Sequence, residues 1–168
     1  MADSSLRDAF IDELRDTYSS EHQILKALPK MVKKATNKQL RAAFSSHLEE
    51  TKGQVKRLDE VFKLLDRKPK SKHCEGMAGI LKEGKSVMEE DFDDATMDAC
   101  LIAAAQRVEH YEMAAYGTLI AWGKLLGETK VVKLLEETLK QENSADKKLT
   151  GLAEDGINQA SMEAAAIA

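Results

Sequence analysis

LIAAAQRVEHYEMAAYGTL, residues 101–119, carries two acids along the border of a long apolar helical face. With Leu101 at zero and about 100° per residue, Glu112 falls at about 20° and Glu109 at about 80°. Both adjoin a surface made of Ala105, Val108, Ala115, Tyr116 and Leu119. The run is rich in Ala, which loses little entropy on becoming helical. It predicts a helix from about Ala95 to Leu126, with Gly127 placed to terminate it.

Three more long periodic segments surround it. The first runs from about Ser5 to Thr36, with Phe10, Ile11, Leu14, Tyr18, Leu25, Leu28 and Val32 on one face. Ser5 with Asp8 suits a helix start, and Pro29 predicts a kink near the end. The second runs from about Asn37 to Lys68, where Pro69 is expected to stop it. Its stripe of Leu40, Phe44, Leu58, Val61, Phe62 and Leu65 is interrupted by His47, Thr51 and Gln54. The last runs from about Thr129 to Ala153, with Val131, Val132, Leu135, Leu139, Leu149 and Leu152 inward. Between Pro69 and Asp94 the pattern weakens around a short helix expected from Cys74 to Met88. That connector is long enough to cross a bundle, whereas the other joins are short. The expectation is one all-α domain, a ferritin-like four-helix bundle with a long crossover containing a short fifth helix. Its core covers about residues 5–153, and residues 154–168 form a frayed or docked tail.

Polar groups on apolar stripes are the informative exceptions. Glu21 lies inside the first stripe, between Tyr18 and Leu25. His47 and Gln54 lie inside the second, with Glu50 at its margin. Glu142 and Asp146 fall at the centre of the last. Each long helix therefore turns at least one carboxylate toward the core. Six ionised acids cannot share a dry interior unaided, because burying even one unpaired charge costs several kcal/mol. Two divalent or trivalent cations resolve the conflict, and carboxylate with imidazole suits iron foremost, with manganese as the alternative. His47 reads equally well as a ligand or as a hydrogen-bonded core histidine. Gln54 reads as a core amide or a ligand. Tyr18 and Tyr116, each near an inward acid, read equally as core packing with an incidental hydrogen bond or as groups that orient a carboxylate.

Composition excludes several classes. Hydrophobic residues make up 43% and charged residues 32%, as in globular proteins. A net charge of −4 without a basic tail argues against nucleic acid as partner. Two cysteines, Cys74 and Cys100, make neither a disulfide framework nor a four-thiolate site. The start, MADSSLRDAFIDEL, lacks a signal-peptide pattern, and no segment approaches the roughly 20 apolar residues of a membrane span. A cytoplasmic protein is the expectation.

The runs LRDTYSSEHQI, HLEETKGQ, LIAAAQRVEHYEMAAYGTL and KLLEETLKQENSADKKL resemble the YciF-type bacterial stress proteins of the ferritin-like superfamily. Rubrerythrin-like di-iron domains are the more distant relatives. The resemblance extends from about Leu6 to Leu152. It implies a terminal metal ligand at Glu21 and bridging acids at Glu50 and Glu112. Glu109 pairs with Glu112, and Glu142 with Asp146. Two departures stand out: Gly53 occupies the place of the usual helix-two histidine, and Asp146 that of the helix-four histidine. His47 or Gln54 would compensate on helix two. The resemblance further implies a homodimer, stress association, and a di-metal oxidoreductase reacting with O₂ or peroxide with an external electron donor. Iron storage in a larger assembly and a non-enzymatic stress protein with a vestigial site are the competing implications.

Overall fold

The computed structural model describes residues 5–165. Ser5 opens α1 (Leu6–Lys34) with a reciprocal cap: its hydroxyl accepts from the Asp8 amide, and the Asp8 carboxylate accepts from the Ser5 amide at 2.9 Å. The helix runs unbroken past Pro29, which faces solvent. Asn37 then caps α2 (Lys38–Leu64), its side chain accepting from the amides of Gln39 and Leu40.

The tight join between these helices is held from across the molecule. Asp98 is buried and accepts from the Thr36 amide, the Thr36 hydroxyl and the Asn37 amide at 2.7–2.8 Å. Hydrogen bonds to a charged acceptor are stronger than neutral ones, and losing it orphans two amides. Asp98→Ala should therefore destabilise the protein by about 2–4 kcal/mol. A chemical-denaturation midpoint equal to that of the parent chain would count against this role.

α2 ends before the proline expected to stop it. Asp66 adopts a left-handed conformation with φ of 52°, and the Arg67 amide reaches back to the Phe62 carbonyl at 2.9 Å. This closure satisfies the last carbonyls locally, so Pro69 is never needed as the breaker. The connector carries α3 (Glu75–Glu89), capped by Cys74, whose sulfur accepts from the Met77 amide. α3 lies on α1 and on α4 (Asp94–Leu125). Gly76 permits that approach, because a Cβ there would stand 2.6 Å from the Tyr111 ring. Gly127, at φ of 74°, closes α4 as the sequence indicates. α5 (Thr129–Leu152) passes through a π-type turn, Ala153–Ile157, in which Gly156 has φ of 144°. The tail is then docked as a further helix, α6 (Asn158–Ala165), against α4, with Ile157 buried.

α1 pairs with α2, α4 with α5, and the pairs meet along α1–α4 and α2–α5. This is a four-helix bundle with one long crossover, the arrangement of ferritin-like folds. Its interior is layered. Phe10, Leu14, Leu58, Phe62, Leu119 and Leu135 fill one end. Met31, Leu40, Phe44, Leu101 and Leu149 fill the other. A belt of buried polar side chains separates the two. No described helix is long and apolar enough to cross a membrane.

Candidate metal centre

The belt draws on all four long helices. α1 supplies Glu21; α2 supplies His47, Thr51 and Gln54, which share a face at helical spacing. α4 supplies Glu109 and Glu112, and α5 supplies Thr138 and Glu142. Glu21 and Glu142 are 0% exposed, Glu112 1%, Glu109 3% and His47 5%. Such burial of charged groups without salt-bridging Lys or Arg is rare.

Four of these side chains converge. His47, Glu109, Glu112 and Glu142 each bring a donor atom to within 4.8 Å of the others. His47 Nε2 stands 3.3 Å from Glu109 and 3.9 Å from Glu142. Both oxygens of Glu112 lack any hydrogen-bond partner, as does one oxygen each of Glu21, Glu109 and Glu142. Metal–ligand bonds of about 2.0–2.2 Å place donors on one ion up to roughly twice that far apart. The donor spacing and the orphaned oxygens therefore fit a cation.

Around the acids stand partners that hold them in place. The Tyr116 hydroxyl donates to Glu21 at 2.5 Å, and the Gln54 amide donates to Glu142. Tyr18 instead donates to Asp59 at 2.8 Å, so it does not orient Glu21. Glu50 and Asp146 lie at the edge of the belt. The Glu50 side chain is 38% exposed and its carboxylate lies 3.3 Å from His47 Nδ1. Asp146 accepts from Gln106 at 3.0 Å and lies 3.2 Å from His110 Nε2. Neither Glu50 nor Asp146 is among the four converging residues. Family resemblance implies a bridging role for Glu50, and here its carboxylate contacts His47. His110, off the apolar stripe and exposed, gave no sign in sequence of its pairing with Asp146; that contact depends on how α4 and α5 are rotated against each other.

Burial and mutual repulsion govern the protons. Burial, then the Glu142 charge, pushes Glu21 up to about 8, opposed by the hydrogen bond from Tyr116. Glu109 and Glu112 are raised well above the ordinary carboxylate range, burial again first and neighbouring acids next. Glu50 is lowered, chiefly by its hydrogen bond with His47. A carboxyl raised by folding lends full stability below its unfolded pKa and loses it as pH climbs through the folded value. For Glu21 that window runs from 4.5 to about 8. Glu109 and Glu112 shift in the same direction. Stability of the metal-free protein should thus fall as pH rises from about 5 to 8, by up to about 1.4 kcal/mol per unit for each such acid. Thermal melts across that range check this, and a flat or rising midpoint would refute it. Protonation removes the charge repulsion among these oxygens, which is the same relief a bound cation would give.

A family model described as Domain of unknown function (DUF892) matches residues 5–162. Protein YciF of Escherichia coli K12 is 45% identical over 156 residues, covering 92% of this chain and 94% of that protein. The crystal structure of the E. coli stress protein YciF superposes with a TM-score of 0.88, over 92% of this chain and 98% of that one. YcfI from Rhodopseudomonas palustris gives a TM-score of 0.86 at 46% identity, over 87% and 93%. A Xanthomonas campestris pv. campestris protein, 22% identical, shares the fold with a TM-score of 0.72 over 94% and 96% of the chains. With the family match spanning residues 5–162 and 45% identity to YciF over nearly all of both chains, this protein belongs to the DUF892 family and is of the YciF type.

Proposed function

We propose that this is a stress-associated oxidoreductase that meets O₂ or peroxide at a carboxylate-bound pair of metal ions. The observation that carries the reading is the set of partnerless buried oxygens on Glu109, Glu112 and Glu142 beside His47 Nε2, with one more on the buried Glu21 of α1. His47, Glu109, Glu112 and Glu142 would hold one ion. Glu21 would join Glu112 on the second, with Glu50 able to swing inward from the edge. Iron, or manganese in its place, would supply the change of oxidation state.

The chain's own residues set up that chemistry. Glu50 engages His47 Nδ1, which leaves Nε2 facing the acids as a lone-pair donor. Gln54 fixes the rotation of Glu142. Tyr116, fully buried, holds a proton against Glu21, and burial keeps its hydroxyl un-ionised. Removing such an orienting hydroxyl lowers metal affinity by about 10–100-fold. Tyr116→Phe should show a loss of that size in competitive metal titration; unchanged affinity would relieve Tyr116 of the role.

The two cysteines make no four-thiolate iron site, so the electron donor in this reading is a separate carrier. Elemental analysis before and after reconstitution with iron(II) and manganese(II) tests the proposal. About two metals per chain are expected; no retained metal and no uptake would sink it. The assembly we place this centre in is a homodimer, and a native mass of many subunits would favour iron storage instead.

A further inference from the structure

Beside the acid belt the bundle is not filled. A cavity of about 130 Å³ lies among α1, α2, α4 and α5. Leu28, Met31, Phe44, Val108 and Leu149, all buried, give it apolar walls. His47 and Glu109 of the candidate centre form part of its lining. Ser46, Ser144 and Lys148, all exposed, with the half-exposed Glu50, mark where it opens to solvent.

The space is made by small side chains at one level. Ala27, Ala43, Ala105 and Ala145 line it, one from each long helix. Protein interiors are close-packed, and unfilled room of this size weakens a fold. A recess with apolar walls, open to solvent at one end and carrying two ligand-type side chains, points to an occupant. Dioxygen or peroxide needs only a fraction of it. An apolar cavity of about 150 Å³ accommodates benzene.

We infer that this cavity binds a small, mainly apolar organic molecule about the size of benzene, presented to His47 and Glu109. That the molecule is a substrate rests on the metal-centre proposal, whereas its binding does not. The test is a titration of fluorobenzene into the whole, metal-free protein, followed by ¹⁹F NMR and by ¹³C-methyl spectra. Saturable binding is expected, with methyl shifts at Leu28, Met31 and Val108. Ala105→Leu and Ala27→Leu, which fill the space, should each weaken binding at least about tenfold. Ala27 is less buried than Ala105, so it carries the test if Ala105→Leu fails to fold by circular dichroism.

Absence of saturable binding, methyl shifts elsewhere, or undiminished affinity in the filled variants would overturn the inference. Metal content is measured on the same preparations. Metal uptake without fluorobenzene binding removes the cavity ligand and leaves the metal centre standing. Fluorobenzene binding without metal uptake supports the cavity and removes the metal centre.

Discussion

Loading the metal-free protein with manganese(II), or anaerobically with iron(II), should raise its melting temperature by about 8–16 °C. Free metal at a thousand times its Kd adds about 4 kcal/mol for a single site. Each kcal/mol moves the midpoint of a domain of 168 residues by about 2–4 °C. The physical source is the belt itself. Without a cation, Glu112 keeps two buried oxygens with no partner, and Glu21, Glu109 and Glu142 keep one each. A cation would satisfy them together and offset both the burial and the neighbouring negative charge that raise Glu21, Glu109 and Glu112. The pH dependence should change with it, because protons then compete with bound metal and acid, not base, becomes the destabilising direction. Differential scanning calorimetry with chelated and loaded samples measures both effects. Identical midpoints at confirmed saturation would mean that the acids do not share the ions.

Glu112→Leu should act in opposite directions on the two forms. In the metal-free protein it removes a buried acid, 1% exposed, that has no hydrogen-bond partner and sits among other acids. Replacing even a buried ion pair by apolar residues of similar volume is often stabilising by about 1–4 kcal/mol, and an unpartnered acid has no paired charge to lose. At about 2 kcal/mol the midpoint would rise by about 4–8 °C. The same substitution should abolish the metal-induced rise, because Glu112 alone offers two free oxygens to the centre. Helical content by circular dichroism should be unchanged. A purely structural role for Glu112 predicts the reverse: lower stability, with metal uptake intact. Glu112→Gln, which keeps the shape but not the charge, separates loss of ligation from loss of volume.

Much of the fold follows from local chemistry that a sequence displays. The α4 boundary at Gly127, the cap at Ser5 and the long connector were each legible, because backbone conformation, side-chain capping and helical period act over a few residues. The end of α2 was not. Both an Asp in the left-handed conformation and a downstream proline can stop a helix, and only the folded chain shows that Asp66 acted first. The inward acids were also visible as a set, since periodicity places Glu21, Glu112 and Glu142 on core faces whatever the helices pack against.

What periodicity could not decide was the fate of residues near a stripe's edge. Glu50, three residues from His47 on α2, turns to that histidine; Asp146, which periodicity set at the centre of its stripe, instead turns to His110 and Gln106 across the α4–α5 interface. Glu109, marginal in sequence, ends 3% exposed and 3.3 Å from His47. A helix's own geometry fixes the angle of each side chain about its axis, but the rotation and separation of neighbouring helices fix which angles face the core. The alanines that open a cavity beside His47 belong to the same class, for a void exists only between elements already packed. The sequence alone determined an all-α bundle with acids in its interior. Tertiary packing decided which of those acids converge, because convergence depends on distances between helices that no single helix encodes.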